Sequence, residues 1–323
     1  MVSNNNVLHI FSNIVFTKGA NRTFVLDMQH SKFYFVPNSM CEFIKEYNHK
    51  TFDEIFSDFS ADEYNIVADY LDFLQSNLIG AFLPSECVGN FLDFSLKYQS
   101  PYLFENAVID IDNDFDITII EYLDKVAIPY IQIRFLDRVN SQLLNILEDL
   151  SFVSVQIVVK NIEFREKILQ KYPKISSVFV YECPQKRVRK CYEKNVYYRT
   201  NSNFECKGKI SKKTFSVNAA HVCLSKNCNS CLYKKISIDK NGEIKNCPSM
   251  KRSYGNIATT ELKELLNNPE FTKLWYITKD KVEVCKDCEF RNICTDCRCF
   301  LTDETNIFSK PKNCSYDPYT NKW

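Results

Sequence analysis

The sequence predicts an α/β chain in three parts: a small α+β domain over residues 1–90, a region of βα repeats over 91–205 and a cysteine-rich domain over 206–323. Three observations carry this reading. Short strand-like runs precede helical ones up to residue 85. Strand and helix patterns then alternate at about 24 residues per unit as far as residue 183. Finally, ten of the 15 cysteines lie from Cys223 onward. A length of 323 residues, 45% hydrophobic and 14% aromatic, is enough for two or three packed cores and excludes disorder as the main state.

In the first part, Ile14-Val-Phe-Thr-Lys-Gly19 and Arg22-Thr-Phe-Val-Leu-Asp27 flank a Gly-Ala-Asn turn, and Phe33-Tyr-Phe-Val-Pro37 supplies a third short strand. Ser39 is expected to cap a helix carrying Phe43, Ile44 and Tyr47, and Thr51 to cap a short one. Ser60 and Glu63 have capping-box spacing before a helix over 64–78. This is the outline of a winged-helix-like peptide-recognition domain. The plainer reading is a domain whose strands only pack on its own helices.

In the second part, strands are expected at 107–111, 130–135, 154–159 and 178–181, with helices at 117–126, 141–150 and 163–171. Such alternation places parallel strands in one sheet, either part of a barrel or open. Asp110, Asp112, Asp114 and Asp116 follow a strand's carboxyl end, where these folds place sites. They lack the Gly and closing Glu of a calcium loop, so they read as a solvated acidic loop rather than a Mg²⁺ or Ca²⁺ site. The basic run Lys186-Arg-Val-Arg-Lys190, between Cys183 and Cys191, reads as a solvated linker.

Composition removes several function classes. With six Gly, none between Gly89 and Gly208, there is no dinucleotide fingerprint, phosphate-binding P-loop or nucleophile elbow. His9, His30, His49 and His221 are too scattered for a histidine metal motif. No run approaches the roughly 18 apolar residues of a membrane span, and the first residues lack the features of a signal peptide. The expectation is a cytoplasmic chain with no membrane partner and with reduced thiols, in which dense cysteines bind metal rather than form disulfides.

The isolated Cys41 and Cys87 read as structural. In the third part, Cys223, Cys228, Cys231 and Cys247 surround a hairpin signal, Lys235-Ile-Ser-Ile-Asp239, Asn241-Gly242, Glu243-Ile-Lys-Asn-Cys247. A two-residue turn there pairs Ile236 with Cys247. Helical patterns follow at 261–266 and after Asn268, with Pro269 in the first turn and Phe271, Leu274 and Trp275 on one face. Then come Cys285, Cys288, Cys294, Cys297 and Cys299, with Cys314 at a distance. Two C-x2-C pairs let one chain present sulfurs inward from tight knuckles, as tetrahedral Zn²⁺ or the corners of a cubane require; spacing leaves zinc and iron both open.

Charge divides near the same place. Residues 1–182 hold 14 Lys+Arg against 25 Asp+Glu, net −11, and residues 183–323 hold 27 against 15, net +12. A basic module suits a polyanion, yet cluster thiolates are themselves anionic and absorb part of the excess.

The cysteine pattern resembles the SPASM domain, the C-terminal extension of many radical SAM peptide-modifying enzymes. C-x(9-15)-G-x4-C is fitted by Cys231, Gly242 and Cys247, and C-x2-C-x5-C by Cys285, Cys288 and Cys294, with Cys314 last. The resemblance implies a partial radical-SAM-like (βα) barrel or open βα sheet, and two auxiliary [4Fe-4S] clusters. Carried over by position, Cys228 (or Cys223), Cys231, Cys247 and Cys297 hold the first cluster. Cys285, Cys288, Cys294 and Cys314 hold the second, and Cys299, Cys206 and His221 are spares.

The chain departs from the pattern twice. Arg298 stands where the family has a fourth cysteine, bracketed by Cys297 and Cys299, and residues 1–182 contain no C-x3-C-x2-C triplet. Without that triplet neither S-adenosylmethionine nor ordinary radical SAM chemistry is expected. The same departure marks the grasp-with-spasm peptide maturases, and the runs 288–298 and 313–323 look like that family's. This implies a maturation protein, catalyst or non-catalytic partner, working with an ATP-grasp peptide ligase on a ribosomally made precursor peptide. The competing readings are a zinc-ribbon interaction protein binding nucleic acid or another polyanion, and an atypical radical SAM enzyme built from late cysteines. No residue presents itself as a general acid or base.

Overall fold

The computed structural model describes residues 5–201, 204 and 208–323. Cys206, one of the spare thiols, lies outside the described residues. The first part runs β1 (Asn6–Ile10), β2 (Ile14–Lys18), β3 (Thr23–Asp27), β4 (Lys32–Val36), α1 (Asn38–Tyr47), α2 (Phe52–Ser57), α3 (Tyr64–Ser76), β5 (Gly80–Pro84) and the single turn α4 (Ser85–Val88). The three expected strands form an antiparallel sheet, β2-β3-β4. A second, two-stranded antiparallel sheet pairs β1 with β5. The sequence reading missed both of its strands, because His9 and Asn6 interrupt the apolar pattern of β1.

Thr51 and Glu54 close a reciprocal capping box on α2. Ser60 receives only the return half of one, its amide donating to Glu63 Oε2 at 3.0 Å. Ser39 caps nothing. Pro37, whose ring already holds φ at −57°, occupies the cap position, while the Ser39 hydroxyl sits inside α1 and meets Tyr70 Oη at 2.7 Å.

One face of the small sheet packs on its helices: Val25 and Val36 join Met40, Phe43, Ile44, Leu71 and Leu74. The other face is also buried. Val15, Phe24 and Leu26 pack against Val222, Phe290, Ile293 and Tyr316 from the cysteine-rich part. The strands are therefore sandwiched, which the plainer sequence reading does not anticipate.

The second part alternates as expected: β6 (Asn106–Ile111), α5 (Thr118–Lys125), β7 (Tyr130–Phe135), α6 (Ser141–Asp149), β8 (Ser154–Lys160), α7 (Lys167–Lys171), β9 (Ile175–Tyr181), β10 (Arg187–Cys191) and β11 (Lys194–Tyr198). Helix α7 is shorter than its pattern, because Phe164 turns into the core and stacks edge-on against Tyr198. The basic run is no linker. It forms the edge strand β10, antiparallel to β11, where its charges suit an exposed edge.

The third part contributes α8 (Ala219–Asn227), β12 (Lys235–Ile238), β13 (Ile244–Lys245) and α9 (Pro269–Thr272), with short 3-10 segments before, between and after them. Strand β12 pairs in parallel with β6, so the hairpin from the cysteine-rich part extends the βα sheet. The result is an open, mostly parallel eight-stranded sheet of order β10-β11-β9-β8-β7-β6-β12-β13.

The hairpin register differs from the expected one. Ile238 faces Ile244 and Ser237 faces Lys245, which places Ile236 opposite Asn246 rather than Cys247. The cause is the turn. Asp239 Oδ1 accepts from the amides of Asn241 and Glu243, and only Gly242 takes a positive φ, 79°, making a longer loop than Asn-Gly implies.

Alternation along the strands sorts the sheet's two faces. Ala107, Ile109, Ile131, Ile133, Val155, Ile157, Val178 and Val180 pack under α5, α6 and α7. Their neighbours Val108, Gln132, Arg134, Val158, Phe179 and Tyr181 line a cavity against the cysteine-rich part. Asp110 does not belong to a solvated acidic loop: it pairs bidentately with Arg134. Asp116 accepts from Thr118 at the start of α5.

Candidate metal centre

The cavity on the sheet's second face has a volume of about 400 Å³ and is lined by four thiols, Cys231, Cys247, Cys297 and Cys299. Each arrives by a local device. Asn229, fully buried, accepts the amides of Cys231 and Leu232 on its Oδ1 at 3.0 and 2.9 Å, turning the chain at the end of α8. Cys247 follows β13, and the loop from 294 brings Cys297 and Cys299. Gly208 makes room: its φ is 58°, and a Cβ built there would lie 2.6 Å from Cys297 Sγ. The Cys299 thiol meets Cys247, and its Sγ lies 3.1 Å from Ser249 O. Hydrogen bonding from Cys299, with Lys235, the Ser249 amide and Arg134 adding, overcomes burial and brings the Cys247 thiol down to about 6.

The second group, Cys285, Cys288, Cys294 and Cys314, stands below the small sheet. Burial pushes three of these thiols the other way: Cys285 and Cys288 are raised, and Cys294 is raised to about 12, with the neighbouring thiols of the group adding to the effect. Left as free thiols, Cys285, Cys288 and Cys294 stay protonated at neutral pH. Val284, a β-branched residue at φ 64°, immediately precedes Cys285, a strained conformation of the kind held at functional sites.

Among the described residues no three His, Cys, Asp or Glu side chains already stand at the spacing of a single-metal site. Cys231, Cys247, Cys297 and Cys299 instead line one cavity, wide enough for more than a single ion, and Cys285, Cys288, Cys294 and Cys314 lie close enough to act on one another electrostatically.

A buried charge network lies between the groups. Asp296, 1% exposed, accepts from Arg298 Nη2 at 2.7 Å, Asn229 Nδ2 at 2.7 Å and Lys279 Nζ at 3.2 Å. Burial works against the Lys279 ammonium, but Asp296, Cys294 and Cys285 more than offset it and hold it charged. Arg298 spends Nη1 on the carbonyls of Ile307 and Ser309, which leaves its buried Nε with no acceptor. Two buried cations on one carboxylate leave a net charge of +1, a costly arrangement unless an anion stands beside it. An orphaned N–H, an excess positive charge and the Gly208 cradle all fit an anionic thiolate cluster in the cavity.

The sequence-assigned ligands separate on this map. Cys231, Cys247 and Cys297 come together, as do Cys285, Cys288, Cys294 and Cys314. Cys228 and Cys223 do not line the cavity. Burial, with Glu105 adding and a hydrogen bond with Tyr233 opposing, raises the Cys228 thiol to about 11, and Cys223 faces Ser95. Cys299 takes the remaining place. His221 hydrogen-bonds to the carbonyl of Cys294. Sequence reading missed Asn229, Gly208 and the Lys279-Asp296-Arg298 network. The one available signal was three charged or polar residues, Asp296 and Arg298 among them, interleaved with cysteines.

Residues 228–289 match the SPASM family, described as an iron-sulfur cluster-binding domain. No curated protein matches the chain. Among solved structures, Streptococcus suis SuiB bound to S-adenosylmethionine shares 12% identity over 95% of this chain and 99% of that chain, with a TM-score of 0.33. SuiB bound to the precursor peptide SuiA shares 12% over 91% and 96%, with a TM-score of 0.28. Superpositions this loose fix neither fold nor function. No helix among the described residues is long and apolar enough to cross a membrane.

Proposed function

We propose that this chain is a SPASM-type peptide maturation protein of the grasp-with-spasm kind, an iron-sulfur partner or scaffold that acts with an ATP-grasp ligase on a ribosomally synthesised precursor peptide. The observation that carries it is the pairing of an iron-sulfur family match over residues 228–289 with two separate four-thiol groups joined by an undercompensated buried cation. Cys231, Cys247, Cys297 and Cys299 would hold one [4Fe-4S] cluster, and Cys285, Cys288, Cys294 and Cys314 the other. When bound, the clusters supply one-electron chemistry or structural rigidity. The protein's own part is to bury them, offset their charge and face one of them towards Gln132, Arg134 and Phe179 on the sheet.

The N-terminal winged-helix-like part, residues 7–85, is assigned to the precursor's leader. Supporting this, β4 is an edge strand whose Phe33 and Phe35 remain 51% and 40% exposed. Open strand edges are the usual place for an extended peptide to pair. S-adenosylmethionine is not part of the proposal, since the early cysteine triplet is missing from residues 1–182.

Anaerobic purification followed by iron, sulfide and zinc counts is the first test. About eight iron and eight sulfide per chain are expected for two cubanes. About two zinc and no sulfide would remove the reading in favour of a zinc-ribbon protein. For the peptide role, the full chain is expected to bind the leader of a precursor encoded beside it together with an ATP-grasp ligase. Binding of nucleic acid in preference to that peptide overturns it.

A further inference from the structure

We infer that Arg298, Asp296 and Lys279 form one buried charge bridge between the two cluster sites, with Arg298 as fixed hydrogen-bond donor to the cavity cluster and Lys279 as the cation against the second. The inference rests on the iron-sulfur reading above. Arg298 lines the thiol cavity with its side chain wholly buried, and Nε is its one nitrogen without an acceptor. Lys279, 5% exposed, has Asp296 as its carboxylate partner and acts electrostatically on Cys294 and Cys285. Asp296 touches both cations, so the three side chains form a continuous link from one thiol group to the other.

A bridge that served the fold alone would leave no donor open and no charge over, since an unmatched buried charge is costly. This one leaves both. The position is also where the cysteine pattern resembled by the chain has a thiol, so a ligand has been exchanged for a cation while Cys299 closes the thiol set. Hydrogen bonds to cluster sulfurs and nearby positive charge stabilise the reduced, more negative state and raise the potential. Arg298 and Lys279 each act in that direction on their own cluster, and Asp296 opposes them on both.

The test is a dithionite titration of the anaerobic full-length protein, followed by EPR, with signals assigned by their loss in Cys299→Ser and Cys294→Ser. Arg298→Met is expected to lower the reduced-to-oxidised ratio of the cavity cluster about tenfold at fixed potential, a midpoint about 59 mV lower for one electron. Lys279→Met is expected to do the same to the second cluster. Asp296→Asn is expected to raise both midpoints, an effect that a structural role does not produce. Arg298→Lys, which keeps the charge, is expected to fall between wild type and Arg298→Met. Unmoved midpoints in iron-loaded Arg298→Met, or an Asp296→Asn effect confined to one signal, overturn the bridge. If Arg298→Met loses iron, Arg298→Lys decides: iron retained with an intermediate midpoint supports the bridge, and iron lost overturns it. A wild-type chain holding only zinc removes the iron-sulfur reading and the bridge together, whereas unmoved midpoints with full iron remove the bridge alone.

Discussion

The two thiol groups are assembled in opposite ways. Cys285, Cys288 and Cys294 come from one short knuckle, with Cys314 added by the bridge that pairs Ile210 with it. The cavity group draws Cys231 from a turn pinned by Asn229, Cys247 from the end of a hairpin in the βα sheet, and Cys297 and Cys299 from a loop held by Asp296. The knuckle is legible in spacing because its geometry is local. The cavity group depends on β12 docking beside β6, a contact between distant segments that no spacing encodes. The two also differ electrically. At Cys285, Cys288 and Cys294 burial outweighs Lys279 and the Phe290 amide and keeps the thiols protonated, whereas Cys299, Lys235 and Arg134 favour the thiolate at Cys247.

The largest expected effect breaks the groups apart. Cys294→Ser and Cys231→Ser should each lose about half of the roughly eight iron atoms and reduce solubility, because metal binding at structural sites is folding free energy. Iron counts check this, and loss of all iron in both variants would show that the groups are one cooperative unit. A sharper comparison sets Cys228→Ser against Cys299→Ser. The first should keep its iron, since Cys228 sits beside Tyr233 outside the cavity, and the second should lose the cavity's share. The reverse result would restore the assignment made by position.

Next in size is the joint between the knuckle and the small sheet. Arg22 stacks 3.8 Å over Phe35 and donates Nε to Glu289 Oε1 at 2.8 Å, while Tyr316 donates to the same oxygen at 2.5 Å. Arg22→Met should cost about 2 kcal/mol in urea unfolding, because the Glu289 carboxylate, 1% exposed, loses its charged partner. Thr51→Ala, which removes the side-chain half of the α2 capping box and leaves the Thr51 amide bonded to Glu54, should cost about 1 kcal/mol.

The smallest effect is in acid. Burial alone would raise Asp27, but the His30 ring and the amides of His30 and Gln29 bond its carboxylate and hold its pKa below the ordinary value. Its contribution is therefore complete above about pH 4, the unfolded value, and is lost as pH falls through the lower folded one. Asp27→Asn should flatten that limb of the stability curve.

Much of the fold could be read because its signals are periodic. The four central strands and two of three crossover helices lie where alternation puts them, and Pro269 opens α9 as expected. What could not be read was long-range. Strands β1 and β5 are defined by pairing with each other across about seventy residues, and the basic run Lys186 to Lys190 becomes a strand only because β11 is beside it. At the site, spacing marked Cys231, Cys247 and Cys297, which line the cavity, and Cys285, Cys288, Cys294 and Cys314, which lie near one another. That Cys299 rather than Cys228 lines the cavity was not legible, because it follows from the turn at Asn229, whose side chain sends Cys231 to the cavity while Cys228 stays behind it.

The sandwiched sheet has a consequence for synthesis. Ala20 bonds to Asp287, Arg291 to the carbonyl of Lys18, Asn292 to Thr17 and Asn21 to the carbonyl of Tyr319, so the first strands are finished only by the last residues. At ribosomal speeds of about 5–20 residues per second, the Phe24 and Leu26 face waits roughly 15–60 s for its cover. During that interval the nascent chain shows a sticky apolar surface, because the knuckle that covers it has yet to be made. Covering this face is thereby made a late event in folding, one that waits for the segment around residues 287–319.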